Sequence, residues 1–407
     1  MRHLIFVAPF ALPSTLRFVR AAVEVPDIQV SLLSQEPVER LPAELCRRLT
    51  GFGRVRDAMV QADLVDGIRG VAQEVGGRVD RVIGVLEQMQ VPLAEARAEL
   101  QIPGLSVESA RNFRDKSRMK DVLRANGLPC ARHALATNAS EALRFIEELG
   151  GPVVVKPPAG AGAKNTFRVD MPEQLTSYLR TKRITPDSPM LLEEFITGKE
   201  HSFDSVTLDG EHLLHSVTEY YPTPLEVMET PWIQWCVVLP RSIDGGEYEA
   251  ILADGPKAID CLGLETGLTH MEWFQRSDGS IAISEVAARP PGAQFTTLLS
   301  YAYDLDFYQA WARLMATDRF DVPERRWSVG AAFLRGQGAG SVTAVHGIAE
   351  ARREFGDLVV EAKVPRRGQP QASSYEGEGY VILKDRDTDT VRDGLKRLIS
   401  LIRVELG

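Results

Sequence analysis

Two Asp-Gly dipeptides constrain this chain more than any other local feature. Asp209-Gly210 lies inside "HSFDSVTLDGEHLLHSVTEYY" and Asp278-Gly279 inside "LTHMEWFQRSDGSIAISEVAARPPG". Such a dipeptide between apolar-rich runs predicts a hairpin, because Asp and Gly accept the positive φ of a tight turn. Two antiparallel strand pairs are therefore expected in the middle of the chain. The second pair ends unusually. Its apolar run closes on Glu285, followed by Ala287 and Ala288, and then Arg289 is pinned by Pro290, Pro291 and Gly292. A strand that ends in a carboxylate, an arginine and a stiff turn has the look of a built site.

The flanks read differently. Residues 1 to about 110 alternate short apolar runs with helical periodicity. "LIFVA" and "RVIGVLE" read as buried strands, and "TLRFVRAAVEV" and "VPLAEARAEL" as helices, which makes a small open α/β unit. No G-x-G-x-x-G follows the first strand, so dinucleotide binding is not assigned there. A helix is expected from about Arg114 to Asn126, closed by Gly127 and Pro129. The helix "SEALRFIEELG", the strand "GPVVVK", the Gly-rich loop "PPAGAGAKN" and the strand "TFRV" follow, and then the strand "MLLEEFI" leaving "TGKE". From about Trp327 strands alternate with a terminal helix, and "PRRGQPQASSYEGEG" is expected to be a mobile loop. With 407 residues the chain is too long for one ordinary core. The expected division is 1–110, 111–187 and 188–407.

Composition narrows the function classes. The net charge of -9 gives no overall basic footprint for nucleic acid. The four cysteines, Cys46, Cys130, Cys236 and Cys261, form no C-x-x-C pair, which suggests reduced thiols in a cytoplasmic protein. "MRHLIFVAPFALP" reads as a first strand rather than a signal peptide, and no apolar run is long enough to span a bilayer.

Four clusters carry chemistry. Glu272 and Glu285 lie at matched distances from the second turn, so they are near cross-strand partners. Like charges there need a neutraliser. Mg²⁺ held by carboxylates and substrate phosphates is one answer; two solvated strand glutamates, or one paired with Arg289, is the other. Lys156 is delivered by a buried strand to the head of a loop containing Gly160 and Gly162, where small residues let backbone N–H groups approach phosphate. The G-K-[ST] order of a Walker loop is absent, and Lys164 reads as a solvated loop lysine. Lys116 and Lys120, in "RDKSRMK", read in isolation as a solvated helix face with Asp115. "LLEEFITGKEHSFD" reads in isolation as an ordinary strand end.

Taken in order, the clusters resemble the motif series of the ATP-grasp superfamily over roughly Arg111 to Trp311. The resemblance implies an α/β (α+β) ATP-grasp fold, with ATP and Mg²⁺ or Mn²⁺ as cofactors. It implies Lys116 and Lys156 on the phosphates, and the Gly160, Gly162 and Ala163 loop over them. Glu194 and Ile196 would read adenine with Glu193 beside them, and Glu200 would take the ribose. Glu272 and Glu285 would hold the metal, and Arg289 would steady the transferred phosphate. The family's last strand usually reads E-x-N-x-R; Ala287 stands at the Asn position and cannot ligate.

"THMEWF", "EVAARPPG" and "SVGAAFLRGQGAGSV" resemble the carboxylate–amine ligases that join amino acids. That subfamily would activate a carboxylate as an acyl-phosphate and pass it to an amine. Its partners would be small carboxylates and amines, with a homodimer as the family-level expectation and no nucleic acid or membrane. The rivals are an ATP-dependent carboxylase or formate-using ligase of purine-pathway type, and a catalytically silent ATP-binding module. A kinase acting on an alcohol is a weaker rival. His270 shares the strand face of Glu272 and could touch substrate, although a core or surface histidine is the commoner case.

Overall fold

The computed structural model describes residues 1–160, 166–230 and 232–407. Its first unit is a parallel sheet in the order Gly51–Arg54, Ile28–Ser34, Arg2–Val7, Arg81–Ile83. Arg2–Val7 is buried from His3 onwards. This is what a central parallel strand covered on both faces requires, and it explains the continuous apolar run. The strand expected over "RVIGVLE" ends early, at Ile83, and the chain passes into a 3₁₀ turn at Glu87–Met89. Glu87 is thereby carried out of the sheet and towards the rest of the molecule. The unit is anchored there by the helix Pro13–Val23, whose Phe18 packs on Tyr308 and Trp311 at ring-centroid distances of 4.6 and 5.3 Å.

The second sheet is antiparallel, in the order His133–Ala136, Met190–Glu194, Val153–Lys156, Phe167–Val169. Met190–Glu194 is one of its inner strands, so this unit extends to Glu194 and not to the expected boundary at 187. The third sheet has eight antiparallel strands. Their order is Ile281–Ala287, Gly267–Gln275, Lys199–Leu208, Glu211–Tyr221, Trp235–Leu239, Ser328–Leu334, Gly379–Asp385, Val359–Lys363. The C-terminal region thus extends the same sheet that the two hairpins begin.

Both Asp-Gly turns form hairpins, by different geometry. Asp209 and Gly210 have φ of 51° and 80°, a two-residue turn. At the second, Gly279 has φ of 83° and Arg276 N donates to Ser280 O at 2.8 Å, which closes a three-residue loop. The longer loop shifts the register, and a bulge shifts it back. Trp273 pairs with Ile283 and Glu272 with Glu285, which leaves Ser284 as the extra residue.

The helix expected from Arg114 to Asn126 forms over Lys116–Ala125, and a separate helix, Val107–Arg114, precedes it. Asp115 breaks them apart by leaving helical geometry (φ -92°, ψ 109°). Its carboxylate accepts from Ser117 N and Arg118 N at 2.9 and 3.0 Å and so caps the second helix. The segment expected to be mobile is pinned. Glu378 is buried and accepts from Gly336 N and Ala372 N at 2.6 and 2.8 Å, and Tyr375 packs edge-on against Trp235 at 4.7 Å. Among the described residues no helix is long and apolar enough to cross a membrane. The four cysteines carry no disulfide.

Candidate functional site

A cavity of about 930 Å³ opens between the two antiparallel sheets. Lys116, Lys156, Gly160, Glu193, Glu194, Ile196, Glu200, Glu272, Glu285 and Arg289, all expected from sequence, line it. Gly162, Ala163 and Lys164 lie outside the described residues.

The bulge at Ser284 organises one wall. It sets Glu285 directly opposite Glu272 and frees the Ser284 carbonyl, which accepts from the Lys120 ammonium. Asp115 organises the facing wall. By starting a new helix, it places Lys116 on the first turn and Lys120 one turn further along the same face. Lys116 Nζ donates to Glu285 Oε1 at 2.6 Å and to Gly160 O at 3.0 Å. Lys120, expected on a solvated face, is instead fully buried and pairs with Glu193 at 3.1 Å. Lys156 pairs with the other Glu193 oxygen at 2.8 Å. Glu193 therefore serves as an anion between two lysines. Beside it, Glu194 Oε2 accepts from Arg132 N at 3.1 Å. The Ile196 N–H has no hydrogen-bond partner among the described residues.

The charges settle unequally. Burial opposes the charge of Lys156, yet Glu193, Glu285 and Glu272 together raise its pKa. Burial dominates at Lys120 and lowers it, although Glu193 offsets part of the effect. Burial would raise Glu285, but Lys116 and Lys156 outweigh it and hold the carboxyl at about 2. Glu272 gains less from the cations; burial and the Glu285 charge push it up. Glu200, also buried, is pushed well above the usual carboxylate range, by burial first and then by Glu272. Three carboxylates thus share one recess, with lysine charge enough to ionise one of them comfortably. This crowding fits a divalent cation on Glu272 and Glu285, completed by phosphate oxygens. Ala287 supplies no further oxygen ligand. Among the described residues no three His, Cys, Asp or Glu side chains form a preassembled metal cluster.

Arg289 is held by a residue that the sequence did not single out. Its Nε and Nη2 donate to Glu87 Oε2 at 3.1 and 2.6 Å, and Nη1 donates to Pro290 O at 3.0 Å. Arg114 donates to the other Glu87 oxygen at 3.0 Å. A signal did exist: "RVIGVLE" closes an apolar run on a carboxylate, as the run ending at Glu285 does. Just past Arg289, Ala293 and Gln294 adopt φ of 46° and 63°, backbone strain stored beside the cleft. His270 lines the cleft as well. Its Nδ1 bonds Asp204 at 2.7 Å, and that carboxylate together with Glu272 outweighs burial and raises the imidazole pKa.

Comparison with known proteins agrees with this geometry. The family model described as the ATP-grasp domain matches residues 121–302. The alanine–anticapsin ligase of Bacillus subtilis (strain 168) is 25% identical over 270 residues, 61% of this chain and 56% of that protein. The chain thus spans just over half the length of the curated relatives it matches. An L-amino acid ligase from Bacillus licheniformis superposes with a TM-score of 0.80 at 19% identity, over 100% of this chain and 99% of that one. A phosphoribosylglycinamide synthetase from Anaerococcus prevotii superposes with a TM-score of 0.70 at 18% identity, over the full length of both chains.

Proposed function

We propose that this chain, whose residues 121–302 match the ATP-grasp domain, is an ATP-dependent carboxylate–amine ligase. The observation that carries the reading is the wall built by the Ser284 bulge: Glu272 opposite Glu285, facing Lys116 and Lys156, with Arg289 a short step on. ATP would enter with adenine at Glu194 and the unpartnered Ile196 N–H, ribose at Glu200, and phosphates at Lys116 and Lys156. Mg²⁺ would be held by Glu272 and Glu285, and when bound it neutralises charge on the phosphate oxygens. The two remaining N–H groups of Arg289 Nη1 and Nη2 are left for the substrate carboxylate or the transferred phosphate.

A carboxylate oxygen attacks the γ-phosphorus, the bond to the β-phosphate oxygen breaks, and ADP leaves. An amine then attacks the acyl carbon, phosphate departs and the nitrogen gives up a proton. The products are an amide, ADP and phosphate. In this scheme the residues act by positioning and charge neutralisation. The named relatives support amino acids as the substrates. Ala287 supports a second reading, a silent ATP-binding module.

The test is ADP and phosphate release from Mg·ATP with amino acids, bicarbonate or formate in separate reactions. Release that depends on amino acids, with an amide product by mass spectrometry, is expected. Release with bicarbonate or formate alone would move the chain to the purine-type reaction, and nucleotide binding without release under any condition would favour the silent module. Glu285→Ala and Arg289→Ala should each lower turnover by roughly 10²–10³-fold or more while the fold survives; near-normal turnover in either would sink the reading.

A further inference from the structure

One part of the cleft is aromatic. Tyr220, Trp235, Phe295 and Tyr375 line it there. Trp235 lies 5.5 Å from Tyr220, 6.3 Å from Phe295 and 4.7 Å from Tyr375, centroid to centroid. The wall is rigid. Trp235 is stacked from behind on Phe333 at 4.9 Å, and its Nε1 donates to Pro222 O at 3.1 Å. It is also continuous with the reaction centre, since Phe295 packs on His270 at 5.3 Å.

Glu376 is a carboxylate of this chamber that the nucleotide and metal reading leaves unused. Among the other carboxylates of the cleft, Glu193 has two lysines, Glu285 has Lys116 and Glu87 has two arginines, whereas Glu272 has only His270 at 3.9 Å and Glu200 has no ion pair among the described residues. Glu376 lines the same cavity, yet it makes no hydrogen bond and no ion pair among the described residues. Lys363 exerts a charge on it without pairing. Its loop is fixed by Glu378, so its position is built in. Glu376 is half-buried and faces the cavity with no counter-ion among the described residues, so its carboxylate is open to a cationic group of a ligand.

Resting on the amide-forming reading above, we propose that this chamber seats an amino acid with a large apolar side chain. Tyr375 packs on that side chain and Glu376 takes the ammonium. The substrate's carboxylate then faces Arg289 and the Glu272–Glu285 wall. The same chemistry speaks against a phosphorylated acceptor. The lining here is aromatic and acidic, with Glu226 and Glu229 at its exposed outer part, and a ribonucleotide phosphate would meet carboxylates.

Calorimetric titration of the whole protein with Mg·ADP present tests this, using L-phenylalanine, L-leucine, L-alanine, L-glutamate and 3-phenylpropionate as probes. Phenylalanine and leucine should bind at least about tenfold tighter than alanine or glutamate. Glu376→Gln should weaken phenylalanine roughly ten- to hundredfold and leave 3-phenylpropionate, which has no ammonium, unchanged. Tyr375→Ala should abolish the preference for phenylalanine over alanine, and Tyr375→Phe should keep it. Melting curves identify any variant that fails to fold. Equal binding of alanine and phenylalanine, an equal effect of Glu376→Gln on both phenyl ligands, or no amino-acid binding at all would overturn the proposal. Amino-acid-dependent ADP release without the preference would sink this inference and leave the ligase reading standing. Release with bicarbonate alone would sink both.

Discussion

Replacing Glu193 by Gln tests the electrostatic frame under the proposed phosphate site. The side chain of Glu193 is 5% exposed and bridges Lys120 at 3.1 Å and Lys156 at 2.8 Å, and Lys120 is itself fully buried. Glutamine keeps the shape and one acceptor oxygen but removes the charge, so two buried ammonium groups then face each other with no anion between them. Removing one partner of a buried ion pair costs about 3–5 kcal/mol. Unfolding entropy of about 2 cal/mol/K per residue over 407 residues converts that cost to a fall in Tm of roughly 4–6 °C. Lys156 should also drift from the position in which it is proposed to meet phosphate, so nucleotide affinity should fall with stability. Thermal unfolding and ATP titration, each on wild type, Glu193→Gln, Lys120→Met and the double variant, measure both. The double variant should be less damaged than the two single losses predict, because Lys120→Met removes one of the stranded charges. A Glu193→Gln protein that melts within about 1 °C of wild type and binds ATP normally would refute the frame.

Two further outcomes follow from the geometry. Glu87→Gln should free Arg289 from its charged anchor and lower kcat for ADP release by about tenfold or more, with less change in KM for ATP and partial recovery in Glu87→Asp; unchanged kcat would mean that Glu87 only fills space. His201 is buried, with its ring tilted against Trp273 at a centroid distance of 4.7 Å, and burial holds its pKa at about 4 against an ordinary 6.5. Above 6.5 neither folded nor unfolded imidazole is charged, so the residue adds no pH dependence there. As pH falls from 6.5 towards 4 the unfolded chain takes up the proton first, and the fold should lose about 3 kcal/mol through this residue. Unfolding free energies at pH 7 and pH 4.5 should converge by most of that amount in His201→Gln; an unaltered slope would show that His201 is solvated.

What was legible in the sequence was local chemistry, and what was not depended on distant partners. Both hairpins followed from turn residues alone. So did the opposition of Glu272 and Glu285, although the register reaches it by a three-residue loop and a compensating bulge that no dipeptide announces. Lys120 shows the limit. Its i,i+4 spacing from Lys116 correctly puts the two on one helix face, but which way that face looks is decided by Glu193, on a strand of the small sheet. Glu87 is 202 residues from Arg289, and the early end of its strand is what carries it into the cleft. Ala287 combines both cases. Its lack of a ligand oxygen was visible at once, but its cross-strand partner was not. That partner is His270, fixed by Asp204, and it lines the cleft beside Glu272. An alanine there leaves space next to an oriented imidazole where the family's asparagine would stand. On the proposed reading, coordination would fall to Glu272, Glu285 and the phosphates of the nucleotide, so metal affinity in this chain should depend on bound nucleotide more steeply than a complete protein ligand set would require.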